Sequence, residues 1–338
     1  MNLKDILIME VPSGALKLAF KDEGLVGKNN TEEMAESIAS EKPTRASALA
    51  TEFQFAGSTA VNVHILMSKI APELHVKTFF KSYLVDKFGT TIFGSGIRPI
   101  LTEKPQLMRS YDLGGEKLVL AFSFLGPQKR YLDNYEVVVR RPQMLDYVVV
   151  HFSPFSLEIR SSLAHNELFK RAVLDIMGIE VDVDVAWDKL TKLSDVQSID
   201  LAKSLSAQLK AAKHKMTEGV YATKAVTATT QVDDLATTPE YQAEFTGKPM
   251  KKKTLVYKFR YSFGYEEDVS FVITDEGLWF RTKVGEEVIS DMLAHILKIK
   301  YPSEEPIGEL TVEYEEIVSE DVVIEQLTVE YEGIAPGE

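Results

Sequence analysis

The chain has 338 residues, room for two domains of ordinary size or one large one. Hydrophobic residues make up 45% and charged residues 26%, values of a globular protein that exclude a disordered, collagenous or low-complexity chain. There is no cysteine, which excludes a disulfide scaffold, Cys-ligated zinc, an iron–sulfur cluster and a thiol nucleophile, and fits a reducing compartment.

No apolar run reaches the roughly 18 residues of a membrane helix, and Met1 to Asp5 lacks a signal peptide's basic flank, so a cytoplasmic protein without membrane association is expected. The net charge is −13, but it is unevenly placed. Residues 301–338 hold twelve Asp and Glu and no Lys or Arg, leaving 39 acids against 38 bases in the rest. The body is neutral, and the acidic end marks a distinct segment.

In chain order, Ile6–Val11 predicts a strand stopped by Pro12, Ser13 and Gly14, with Leu16–Phe20 as its hairpin partner. Asn30-Thr31-Glu32-Glu33 opens a helix carrying Met34 and Ile38, ended by Pro43. Leu49–Phe55 alternates like a strand. Gly57-Ser58 opens an expected helix with Val61, Ile65 and Ile70 inward, and His75–Tyr83 is a further strand candidate. A β-meander follows over about 106–160, its first hairpin turning at Gly114-Gly115. Residues 162–176 read as a helix, as do Leu201, Leu205, Leu209, Ala212 and Met216 at spacings of three and four, ending at Gly219.

Val220 to Gly247 has no sustained period and reads as a linker or long loop. Strands are then expected over 253–263, 269–274 and 278–283, and a helix carrying Val288, Met292 and Ile296. In the tail, Leu310-Thr311-Val312-Glu313-Tyr314 recurs as Leu327-Thr328-Val329-Glu330-Tyr331. Two copies are too few for a solenoid and suggest a pair of strands.

The familiar catalytic signatures are absent. Gly24 to Asn29 meets a phosphate-binding loop only at Gly27-Lys28, and Gly94 to Pro99 lacks the third glycine of a dinucleotide fingerprint. The six histidines form no HExxH pair, and no Gly-x-Ser-x-Gly elbow occurs. Asp182 and Asp184 alternate with valines, as on an ordinary strand with one wet face. Asp146 on one strand and Glu158-Ile159-Arg160 on the next touch the pattern of metal-dependent nucleases, with Arg160 where a lysine would orient water.

Basic residues carry more. Lys248 to Arg260 contains Lys248, Lys251, Lys252, Lys253, Lys258 and Arg260 with no acid. On a strand, Lys258 and Arg260 share one face while Tyr257, Phe259 and Tyr261 share the other. Arg140 and Arg141 sit at a hairpin end, and Lys203, Lys210, Lys213 and Lys215 add a further set.

The expected fold is α+β, with mixed, mostly antiparallel sheets, a helical middle and a C-terminal β-hairpin tail. It divides into an N-terminal α+β domain (1–219), a linker or long loop (220–247), a small sheet-plus-helix unit (248–302) and an acidic tail (303–338). The function expected is a non-enzymatic binding or assembly subunit, without cofactor or metal. It would contact nucleic acid or another polyanion through Lys251, Lys252, Lys253, Lys258, Arg260, Arg140 and Arg141. The alternatives are a metal-dependent nuclease using Asp146 and Glu158, and a self-assembling structural protein. In the latter, 303–338 would pair with a protein partner or another copy.

Overall fold

A computed structural model describes residues 2–27, 30–56, 60–68, 71–179, 185–217 and 220–302. The repeated tail strands, Asp182 and Asp184, and the Lys28-Asn29 pair lie outside these residues. The fold is α+β, built on one antiparallel sheet of eleven strands.

Helices come first: α1 (Leu3–Met9), α2 (Ser13–Asp22), α3 (Thr31–Glu41) and α4 (Pro43–Phe53). The hairpin expected at the N-terminus is therefore two helices. A short apolar run does not separate strand from helix, and the burial pattern settles it. Ala15, Leu16, Ala19 and Phe20 are buried along α2, and Ala46, Leu49, Ala50 and Phe53 along α4. Asn2 and Asp5 close a capping box on α1, and Asn30 caps α3 as its sequence predicts. Pro43 does not merely end α3. It occupies the first turn of α4, where its missing N–H costs nothing.

The next two expectations are exchanged. The segment read as a helix is strand β1 (Ala60–Leu66), in which Val61 and Val63 alternate with Asn62 and His64. The segment read as a strand is helix α5 (Lys77–Phe88), which buries Phe80 and Leu84, four residues apart.

The meander forms as expected: β2 (Gln106–Asp112), β3 (Lys117–Leu125), β6 (Gln143–Phe152) and β7 (Phe155–Arg160) are successive neighbours. Strands β4 (Lys129–Asp133) and β5 (Glu136–Arg140) make a separate exposed hairpin between β3 and β6. Gly114 and Gly115 both take positive φ, 79° and 49°. The Gly94–Pro99 stretch is a turn laid against β2. A Cβ on Gly96 would sit 2.8 Å from the Met108 carbonyl oxygen. Helix α6 (Asn166–Ile176) follows, and then β8 (Trp187–Lys189) beside β1.

The long helix expected through Met216 is instead helix α7 (Asp195–Ser204) followed by strand β9 (Gln208–Lys215). Ser206 breaks the helix with a φ of 52°. A bulge in β9 shifts its alternation by one, so Leu209 and Ala212 both face the core and imitate helical spacing. The segment read as a linker carries β10 (Thr223–Thr227) and helix α8 (Pro239–Phe245). The strands on either side of it, β9 and β11 (Met250–Arg260), are hydrogen-bonded neighbours, and residues 1–300 form one compact unit. Strands β12 (Glu266–Thr274) and β13 (Leu278–Phe280) and helix α9 (Glu286–Lys300) complete it.

Strand β1 is the seam of the sheet. Ala60 and Val61 pair with β13, while Asn62 to Ile65 pair with β7. The strand order is β10-β9-β11-β12-β13-β1-β7-β6-β3-β2. Val61 and Val63 join the larger core, which packs α1–α4, α7 and α9 against the β9–β13 half. The second core packs α5 and α6 against the β2–β7 half, on the face that Asn62 and His64 share with Leu157 and Ile159. Helices therefore cover opposite faces of the two halves. On the other face of the β9–β13 half, Lys213, Lys252 and Lys258 are exposed, while Thr254 and its partner Val272 are buried beside half-buried Trp279. No helix among the described residues is long and apolar enough to cross a membrane.

Candidate functional site

Alternation on β9 and β11 divides the basic strand between two surfaces. Lys252, Lys258 and Arg260 project from the open face. Lys253, Leu255 and Tyr257 project from the face covered by helices. The expected phosphate contact Lys253 is thus buried, with its side chain 5% exposed.

On the covered side, β9, β11, α7 and α8 line a cavity of about 730 Å³ that opens to solvent. The Lys253 ammonium donates to the Asp195 carbonyl oxygen at 3.2 Å and to the Ser198 hydroxyl. The Asp195 carboxylate stands 3.8 Å away. Burial pulls the Lys253 pKa below the ordinary lysine value, and the Asp195 charge only partly opposes it.

His214 is buried on the same face. Its Nδ1–H donates to the Lys248 carbonyl at 3.2 Å, so neutral Nε2 accepts from the Tyr241 hydroxyl at 2.9 Å. Burial lowers the His214 pKa, which favours this neutral form, and pushes Tyr241 up to about 12. The imidazole stacks on Phe245 with centroids 4.4 Å apart. None of His214, Tyr241, Asp195 or Ser198 stands out in the sequence, because they come from three elements joined only by strand pairing and helix packing.

The other predicted residues are dispersed. Lys258 lies opposite Asp268, and Arg260 pairs with Glu266 at 3.4 Å. Arg140 pairs with Asp133 at 3.7 Å on the β4–β5 hairpin, and Arg141 pairs with Glu103. Lys251 and Lys252 stay exposed. They are joined on β9 by Lys213, directly across from Lys252, and by Lys215.

Asp146 and Glu158 lie on opposite faces of the sheet. Asp146 alternates with Val148, which pairs with Ile159, whereas Glu158 pairs with Val149. Asp146 accepts from Ser161, and burial raises its pKa. Glu158 is held between Arg160 Nε at 2.7 Å and His151 Nε2 at 2.9 Å. Burial pushes the Glu158 pKa up, but the Arg160 charge and the His151 bond outweigh it and hold the pKa down at about 2. Arg160 also grips Glu286 at the start of α9, with Nη2 to Oε2 at 2.8 Å. No group of three His, Asp or Glu side chains among the described residues gathers as a metal-ligand set.

Near this network, Glu52 at the end of α4 accepts from the Glu287 N–H at 2.8 Å. Burial, with the Glu287 and Glu286 charges adding to it, pushes the Glu52 pKa from 4.5 to about 7. Between these values the folded chain keeps a proton that the unfolded chain has released. Stability should therefore fall as pH rises through the window. In urea denaturation, Glu52→Gln is expected to gain about 1–2 kcal/mol at pH 8, after allowance for partial solvation, and almost nothing at pH 4.5. Equal stabilisation at both pH values would assign the gain to packing instead.

No protein-family model matches the chain, and no curated protein matches it. The functional reading therefore stands on the two surfaces of β9 and β11.

Proposed function

We propose that this chain is a non-enzymatic binding module whose open half-sheet face takes single-stranded nucleic acid by its phosphates. One observation carries the reading. Lys213 and Lys252 stand directly opposite each other on neighbouring strands, where like charges destabilise a sheet. Lys215 and Lys251 flank them, and none of the four forms an ion pair among the described residues. Such a cluster is relieved by a bound polyanion, which releases its counterions in the process. Trp279 lies on the same face, under the Lys252 ammonium at 5.3 Å, and offers an aromatic surface for a base.

Fluorescence anisotropy with a labelled single-stranded oligonucleotide over a salt series tests this. Lys213→Glu with Lys252→Glu is expected to weaken binding about tenfold or more and to flatten the log–log salt slope by about 1.4. Lys258→Glu with Arg260→Glu should do less, because acids already face both positions. Unchanged affinity and slope in a folded Lys213/Lys252 variant would sink the proposal. Equal competition by heparin at matched charge would reduce the face to a general polyanion surface.

A further inference from the structure

The covered side of the same two strands holds a site independent of the open face. We propose that the cavity between α7, α8, β9 and β11 binds a small monocarboxylic acid with an apolar body, its carboxylate paired with Lys253.

The cavity, about 730 Å³, is within the range of small-molecule sites. Much of its wall is apolar: Ile199 and Ala202 from α7, Leu209 from β9, Leu255 from β11, and the Tyr241 and Phe245 rings from α8. Buried cations are normally closely paired, yet among the described residues the Lys253 ammonium hydrogen-bonds to neutral oxygens, the Asp195 carbonyl and the Ser198 hydroxyl, and its ion pair is a long one. Its one nearby carboxylate oxygen, Asp195 Oδ1, is 3.8 Å away on a side chain 48% exposed to water. Asp195 is also engaged elsewhere, since its Oδ2 accepts from the Met250 N–H at 3.3 Å.

The other polar groups on the wall are largely satisfied within the fold. His214 is held by Lys248 and Tyr241, and Asp234 Oδ1 accepts from the N–H groups of Leu209 and Ala236 at 3.0 and 2.9 Å. What remains is the Lys253 ammonium, the most deeply buried of the three lysines that line the cavity, beside a largely apolar wall; the Ser198 hydroxyl next to it is already used, donating to the Asp195 carbonyl at 2.7 Å. That pattern matches a single carboxylate on an apolar body. A phosphate, with two charges and more oxygens to satisfy, would find one buried cation, since the other two lysines on the wall, Lys203 and Lys248, are more exposed to water.

Isothermal titration calorimetry of the full chain tests this with octanoate and 3-phenylpropionate against their methyl esters, and with inorganic phosphate. The acids are expected to bind at least about tenfold more tightly than the esters, since a charge-assisted hydrogen bond is about twice as strong as a neutral one. Phosphate should not bind in the cavity. Lys253→Met should cost the acids about 10- to 100-fold and leave the esters within about twofold. Ala202→Phe, which fills part of the cavity, should weaken acids and esters alike. Equal binding of acid and ester by the wild-type protein would overturn the proposal, as would no acid binding up to millimolar concentration. The acid–ester comparison requires no variant, so it decides even if Lys253→Met fails to fold. The Lys213→Glu and Lys252→Glu substitutions should leave acid binding unchanged, which separates failure of this site from failure of the open face.

Discussion

Replacing Arg160 with methionine is expected to cost about 3–5 kcal/mol at neutral pH, the usual penalty for removing one partner of a buried ion pair. Arg160 and Glu158 have side chains 2% and 1% exposed, and the guanidinium also holds Glu286 at the first turn of α9. Without it, two carboxylates lose their cation. Glu158 would keep only His151, itself 17% exposed. The cost should shrink in acid. The paired Glu158, with its pKa down at about 2, contributes stability above the ordinary value of 4.5 and loses it as pH falls through about 2. In the variant, Glu158 takes up a proton at a higher pH and no longer needs a partner. Chemical denaturation at pH 7 and pH 4 should therefore show a larger difference between variant and wild type at pH 7. Glu158→Gln in the same chain should recover part of the loss, measured as a coupling energy in a double-mutant cycle. A cost below about 1 kcal/mol, with no coupling, would mean that the pair behaves as a solvated surface bridge.

That network shows how far sequence alone reaches. Glu158 and Arg160 are two residues apart and share a face of any strand, so their pairing is local and legible. Glu286 is distant in the chain and joins them only because α9 packs on the sheet. The meander, the caps of α3 and the final helix were legible for a similar reason, since turn glycines, capping side chains and apolar stripes act within a few residues. The differences cluster where a local pattern has two solutions. Val61 and Ile65 fit one helical stripe, but Val61, Val63 and Ile65 fit a strand, and pairing with β7 decides. In β9 a bulge displaced the alternation and imitated a helix.

The candidate site was half legible. The alternation that puts Tyr257 and Phe259 inward also puts Lys253 inward, which separates it from Lys252 and Lys258. The partners that enclose it, Asp195, Ser198 and the α8 rings, depend on tertiary packing. No sequence spacing joins them.

Phe53 and Phe55 offer the sharpest test of the helical reading of α4. On a strand the two rings would share a face and pack together. In the structure they part at the end of α4. Phe53 is fully buried in the larger core, with Tyr261 at 5.4 Å and Phe263 at 6.4 Å between ring centroids. Phe55 belongs to a separate small cluster, with Tyr111 at 4.7 Å and Tyr147 at 5.2 Å. Phe53→Ala is expected to cost about 3–5 kcal/mol, because it removes a ring from a closed core and leaves a cavity among side chains that cannot collapse into it. Phe55→Ala should cost less. Among the described residues its cluster contains three buried side chains and is edged by half-buried Tyr111 and Tyr147, which can close over part of the gap. Because the rings share no partner, the double variant should sum the two single costs to within about 0.5 kcal/mol. Tyr261 supplies a second readout. Its hydroxyl accepts from the Gly285 N–H at 3.1 Å and donates to Glu267 at 2.5 Å. Removing Phe53 frees one side of that ring and should speed amide exchange at Gly285, whereas removing Phe55 should not. A strongly non-additive pair, with both variants disturbing Gly285 alike, would place the two rings in one cluster and refute the helix-end geometry.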